Sequence, residues 1–148
     1  MSVQLPFVDA LIGKKVGYAW IGYGSAVFLE FGDLIRRTGR GGELSQHFQG
    51  DITLMIEWSW RVERVRSIFA GSWSSKRRWQ SALRVLIGCE VTQVAFTSGL
   101  PEIALSFSNG LRITSFMTAE GQPAWAIIAR SPKLGSLHVL RGRLCISP

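Results

Sequence analysis

The chain is poor in the residues that most often carry chemistry. Its 148 residues include two histidines, His47 and His138, and two cysteines, Cys89 and Cys145. It has ten Asp and Glu against seventeen Lys and Arg. No pair has the C-x-x-C or H-x-x-x-H spacing of metal ligands, so neither a metal nor a cofactor is expected. Two cysteines do not make a disulfide framework, and each reads as a small structural thiol. No apolar run approaches the roughly 18 residues of a membrane span, so no membrane partner is expected. The opening Met1-Ser2-Val3-Gln4-Leu5-Pro6 lacks the basic start and apolar stretch of a secretory signal. The expectation is a soluble, cytoplasmic protein.

The phosphate-binding loops are incomplete as well. Gly13-Lys14-Lys15 has no glycine at the upstream position of such a loop, and Lys15 stands where Ser or Thr is required. Gly22-Tyr23-Gly24-Ser25 lacks the third glycine of a dinucleotide fingerprint and reads as a hairpin turn. Carboxylates are scattered. Glu30 projects from a strand and Asp33 sits in the turn after it, which is no acid–base pair. No catalytic residue is assigned. An enzyme remains the less favoured class, and it would use His47 with Asp51 or Glu43 in a concave pocket.

What the chain does have is apolar mass and localised charge. Hydrophobic residues make up 47% and charged residues 18%, which excludes disorder and requires a packed core. The length fits one domain spanning 1–148. The net charge is +7. Arg61, Arg64, Arg66, Lys76, Arg77, Arg78 and Arg84 face one acid, Glu63, within 24 residues, so this segment holds six of those seven charges. Trp58, Trp60, Trp73 and Trp79 lie in or beside it. Cations interleaved with aromatics suit an acidic protein surface, or phosphates and stacked bases. The plainer alternative is a solvated face over core tryptophans.

The two halves of the sequence look alike. Leu11-Ile12-Gly13-Lys14-Lys15-Val16 is echoed by Leu86-Ile87-Gly88-Cys89-Glu90-Val91, and Val27-Phe28-Leu29-Glu30-Phe31 by Ile103-Ala104-Leu105-Ser106-Phe107. The repeat covers 5–66 and 75–131, with a connector at 67–74 and a C-terminal strand region at 132–148. The first half carries an insertion between Asp33 and Gln49, read as the Gly- and Arg-rich loop Arg36–Gly42. Each half opens with a short helix. Pro6 suits the first position of one, ended by Gly13. In the other, Trp79, Ala82, Leu83, Leu86 and Ile87 form a stripe, with Ser74 or Ser75 as cap and Gly88 as stop. Alternation from Ile52 to Val62 predicts one long antiparallel strand with Trp58 and Trp60 on its core face. The predicted class is α+β, predominantly antiparallel β, in two similar halves.

The order Leu86-Ile87-Gly88-Cys89-Glu90-Val91, then Leu105-Ser106-Phe107-Ser108-Asn109-Gly110, then Trp125 resembles an L-x-G-x-x-V, L-x-F-x-N-G, Trp-strand pattern. That pattern occurs in small, poorly characterised bacterial β-rich proteins. The resemblance covers mainly 58–130 and implies an accessory or immunity-like protein with no active site to carry over. The basic cluster is foreign to the pattern.

The first functional expectation is therefore a non-enzymatic module that binds an acidic protein partner. Its partner-binding residues are Arg64, Arg66, Trp73, Lys76, Arg77, Arg78 and Arg84, with Trp73 as anchor in the small-residue loop Ala70–Ser75. The alternative is sequence-tolerant nucleic-acid binding by the same segment, with Arg36, Arg37 and Arg40 as a secondary basic loop. An open edge on the Ile52–Val62 strand would also allow a homo-oligomer.

Overall fold

The computed structural model describes residues 3–38, 40–97, 99–119 and 124–148, the side chains of Arg37 and Arg40 excepted. The chain opens with helix α1 (Leu5–Leu11), followed by β1 (Val16–Ile21), β2 (Val27–Phe31), β3 (Ile35–Thr38), β4 (Leu44–Gln49), β5 (Ile52–Ile56), β6 (Trp60–Glu63) and β7 (Ile68–Gly71). Helix α2 (Lys76–Leu86) follows, then β8 (Val91–Phe96), β9 (Ile103–Phe107), β10 (Arg112–Ser115), β11 (Trp125–Ala129), β12 (Gly135–Leu140) and β13 (Arg143–Ser147). One sheet runs β1-β2-β5-β11-β12-β13 and a second β7-β6-β10-β9-β8, with β3 and β4 forming a separate hairpin. All the strand pairs are antiparallel. The class is α+β, rich in antiparallel sheet.

Local sequence explains most of these elements. In β9, Ile103, Leu105 and Phe107 are buried while Ala104 and Ser106 are half-exposed, a period of two. In α2, Ala82, Leu83 and Leu86 are buried, and the Ser75 hydroxyl accepts the Arg78 N–H at 3.3 Å as cap. Pro6 occupies the first turn of α1, which buries Phe7 and Leu11. Gly13 and Gly88, with φ of 84° and 88°, turn the chain out of the two helices in a region closed to most side chains. Just beyond those turns the two segments meet. Gly13 N–H donates to Val91 O, Val91 N–H to Lys14 O, Val16 N–H to Cys89 O and Gly88 N–H to Val16 O, all at 2.7–3.0 Å.

The expected single strand from Ile52 to Val62 is two strands in two sheets. The inward phase runs through Ile52, Leu54, Ile56, Trp60 and Val62, all buried. At Glu57-Trp58-Ser59 the chain leaves the first sheet and enters the second. Glu57 N–H donates to Ala124 O, and Ser59 O accepts from Phe116 N–H. Trp58 sits at this crossing, 67% exposed, so it is a surface residue while Trp60 is fully buried. Both strands are interior, β5 between β2 and β11 and β6 between β10 and β7. The stretch therefore offers no open edge to a second copy.

The expected Gly- and Arg-rich loop is a hairpin. Arg36 and Arg37 belong to β3, paired with β4, and Arg40 opens a short 3-10 turn. The hairpin is held by aromatic stacking and by a buried carboxylate. Trp20 lies between Phe28 and His47, with ring centroids 4.2 and 3.9 Å apart and near-parallel planes. Glu30, 3% exposed, accepts the Gly50 N–H at 2.9 Å and the Thr53 hydroxyl at 2.5 Å. Arg130 donates to Gly50 O and to the Thr53 hydroxyl oxygen. The sheets' inner faces and the helices share one apolar cluster.

Candidate functional site: the cationic surface around α2

Helix α2 packs against β1 on one side and β7 on the other, the outermost strands of the two sheets. Its basic residues consequently divide into two groups. Lys76 and Arg84, about 80° apart around the helix, both line a groove toward β1. Arg78 turns toward β7, where its guanidinium lies 5.6 Å from the Phe69 ring centroid. Arg64, in the turn between β6 and β7, lies over that same ring at 4.2 Å. Two cations thus converge on one aromatic ring, contacts worth about 0.5–1 kcal/mol each at an exposed site.

Among the described residues no carboxylate pairs with these cations. Glu63, the one acid of the segment, is taken by Arg61 at 2.7 Å and by Arg112 at 2.9 Å. Burial pushes its carboxyl up, but hydrogen bonds from Arg61, Arg112 and Thr114 outweigh that and hold it below the ordinary value. Arg64, Arg66, Lys76, Arg77, Arg78 and Arg84 are all exposed, and none forms an ion pair among the described residues. Trp73, on the loop between β7 and α2, is 95% exposed. It flanks a cleft of about 280 Å³ formed with Ile68, Arg61 and Phe116.

Trp60, Trp125 and Trp79 serve the core. Trp60 and Trp125 have no exposure, and their indole N–H groups donate to Ser25 O and Pro101 O at 2.6 and 2.7 Å. Trp79 is half-buried and donates to Gly71 O at 2.7 Å, tying α2 to β7. Of the secondary basic loop, Arg36 packs its guanidinium 5.0 Å from the Phe48 ring centre. The side chains of Arg37 and Arg40 lie outside the described residues.

The enzyme alternative would use His47 with Asp51 or Glu43, and among the described residues neither carboxylate hydrogen-bonds to His47. His47 Nδ1 is hydrogen-bonded to the Tyr18 hydroxyl at 2.8 Å, while the Asp51 carboxylate accepts the Asp33 backbone N–H at 3.1 Å. Burial raises the Tyr18 hydroxyl above its ordinary value, with Arg36 opposing and Glu30 adding to that shift. Glu43 is exposed. Cys89 and Cys145 are both free and half-buried. Among the described residues no three His, Cys, Asp or Glu side chains are grouped to hold a metal, and no helix is long and apolar enough to cross a membrane.

Three features of this surface left no trace in sequence patterns. Phe69, which gathers Arg64 and Arg78, reads as an ordinary strand residue. Ala19 and Ile21, the far wall of the groove, lie some sixty positions before α2. Neither periodicity nor spacing links them. No protein-family model, curated protein or solved structure matches the chain.

Proposed function

We propose that the chain is a non-enzymatic, accessory or immunity-like protein-binding module, and that the cationic surface around α2 and the β6–β7 turn engages an acidic partner. The observation that carries this is the set of six exposed cations that form no ion pair among the described residues, beside Trp73, which is 95% exposed. Lys76, Arg77 and Arg78 oppose the helix dipole in the first turn of α2, at a cost of some tenths of a kcal/mol each. The fold itself does not ask for them, because α1, Leu-Pro-Phe-Val-Asp-Ala-Leu, carries no cation.

That comparison of helices belongs to a second element of the proposal, that 5–66 and 75–131 are two similar halves. Several correspondences support it. The order β1-β2-β5-β11-β12 matches β8-β9-β10-β6-β7 strand for strand once the β3–β4 hairpin is set aside as the insertion. The four hydrogen bonds between Gly13–Val16 and Gly88–Val91 exchange with one another under a 75-residue shift. Register irregularities fall at Val16/Tyr18 and at Val91/Gln93. Trp60 and Trp125 bond to matching carbonyls, Ser25 and Pro101. Set against that background, the cations of α2 are an addition to one half.

The test is affinity purification of the tagged full chain from its native cell, with and without nuclease. Wild type is compared with Trp73→Ala and with the triple Lys76→Ala, Arg77→Ala, Arg78→Ala variant. The expected result is one acidic protein, retained after nuclease, depleted at least tenfold in both variants and weakened by salt. Undiminished capture in both variants would overturn the reading. Loss on nuclease treatment, with a log–log salt slope of about 0.7–0.9 per phosphate contact, would transfer the surface to nucleic acid.

A further inference from the structure

The groove between β1 and α2 combines an open sheet edge with an apolar wall and two cations. β1 is the outermost strand of its sheet. At the end of its hairpin Gly22 N–H donates to Ala26 O. Alternation then turns the backbone groups of Trp20 toward β2 and those of Ala19 and Ile21 away from it. Beyond the β1–β2 ladder, no described residue hydrogen-bonds to the main chain of Ala19 or Ile21. Both line a groove of about 590 Å³. Its opposite wall is α2 and its C-cap, where half-buried Trp79 and exposed Ile87 give apolar surface over the buried Leu83, and Lys76, Gln80 and Arg84 give polar surface. Among the described residues no carboxylate lines it.

We infer that this groove receives an extended acidic segment of the partner protein as an added strand on β1. Outward-facing N–H and C=O groups on an edge strand are a template for pairing. Carboxylates of the incoming segment meet Lys76 and Arg84, and its apolar side chains meet Trp79 and Ile87. The free part of β1 is about five residues, some 17 Å of strand. A small anion would satisfy the two cations and leave the main-chain edge and the apolar wall unused. The inference rests on the acidic-partner reading, but places the partner's strand on the opposite flank of α2 from Arg64 and Phe69.

The experiment titrates the full chain with a set of capped seven-residue peptides alternating Glu with Val, Ile, Phe or Tyr. The controls are the Lys-containing counterparts and acidic peptides N-methylated at alternate amides. Acidic peptides should bind. N-methylation should abolish binding in the phase that removes the edge donors, and Arg84→Glu should weaken it at least tenfold. Arg84 is exposed and forms no ion pair among the described residues, so this variant is expected to fold, and the N-methyl series needs no variant at all. The inference is overturned if no acidic peptide binds, if N-methylated peptides bind equally in both phases, or if Arg84→Glu leaves affinity unchanged. It is equally overturned if citrate binds where the peptides do not, or if a second copy of the chain occupies the edge and excludes them. An Arg64→Ala, Arg78→Ala variant separates this from the broader reading. Native-partner capture that depends on Arg64 and Arg78 but not on Arg84 leaves the acidic-partner reading standing and removes the groove.

Discussion

Glu63 illustrates how a single residue can hide a charge cluster's true extent. Seven cations surround it in sequence, but among the described residues its carboxylate pairs with Arg61 and, from 49 positions away, Arg112, with the Thr114 hydroxyl as a third donor. The remaining six are thereby left to solvent. Its hydrogen bonds hold its folded-state carboxyl below the ordinary value of 4.5. A carboxyl lowered on folding stabilises the protein above its unfolded value, and that contribution is lost as pH falls through the folded value. Glu57 has the opposite sign: burial raises it, so its ionisation on going up in pH opposes folding. Glu63→Gln should therefore be less stable than wild type near about pH 7, with the gap closing below about pH 4.5. Both arginine partners are half-exposed, so the gap at neutral pH should be about 1 kcal/mol or less. Urea unfolding at about pH 7 and about pH 3 measures it, and a gap that widened in acid would contradict the assignment.

At the level of elements, the helices and the hairpin-forming strands were legible because each depends on local information. Ser75, the Trp79–Leu86 stripe and Gly88 delimit α2 without reference to anything distant, and Ile103–Phe107 alternates cleanly. The Ile52–Val62 segment misled because the inward phase persists through the crossing at Glu57–Ser59. Alternation reports which side faces the core, not which sheet the strand belongs to. The Arg36–Gly42 segment misled for the converse reason. Its glycines signal a turn, and the strand character of β3 comes from pairing with β4, whose Phe48 and His47 pack against Tyr18 and Trp20. The cations were legible as composition, but their division into two flanks depends on α2 standing between β1 and β7. That same helix yields a prediction. Arg77 lies in its first turn, exposed and without an ion pair among the described residues. Arg77→Glu replaces an opposing charge with one that suits the dipole and should stabilise the fold by about 0.3–1 kcal/mol at low ionic strength. If the surface is a contact, the same change should weaken partner capture, so stability and binding move in opposite directions. A thermal scan beside the capture assay checks both, and a lowered melting temperature would refute the dipole argument.

For the molecule as a whole, the decisive feature is that neither sheet is made by one part of the chain. The first sheet joins β5 to β11, and the second joins β6 to β10, so each contains strands from before and after α2. The buried tryptophans add a second tie. Trp60 stands in the second sheet and donates to Ser25 O, just ahead of β2 in the first. Trp125 stands in the first sheet and donates to Pro101 O, just ahead of β9 in the second. Each indole N–H therefore satisfies a part-buried carbonyl belonging to the other sheet's approach loop. Replacing either ring by Phe keeps most of the apolar contact and leaves that part-buried carbonyl without its donor, which should cost about 0.5–1.5 kcal/mol. Because the ties are reciprocal, Trp60→Phe and Trp125→Phe should lower the urea midpoint by similar amounts while leaving a single transition. Far-UV circular dichroism, which reports both sheets, should coincide with fluorescence of the remaining tryptophans. Two separated transitions in either variant would mean that the sheets unfold independently, and the interleaving of strands would then not be what makes this fold cooperative.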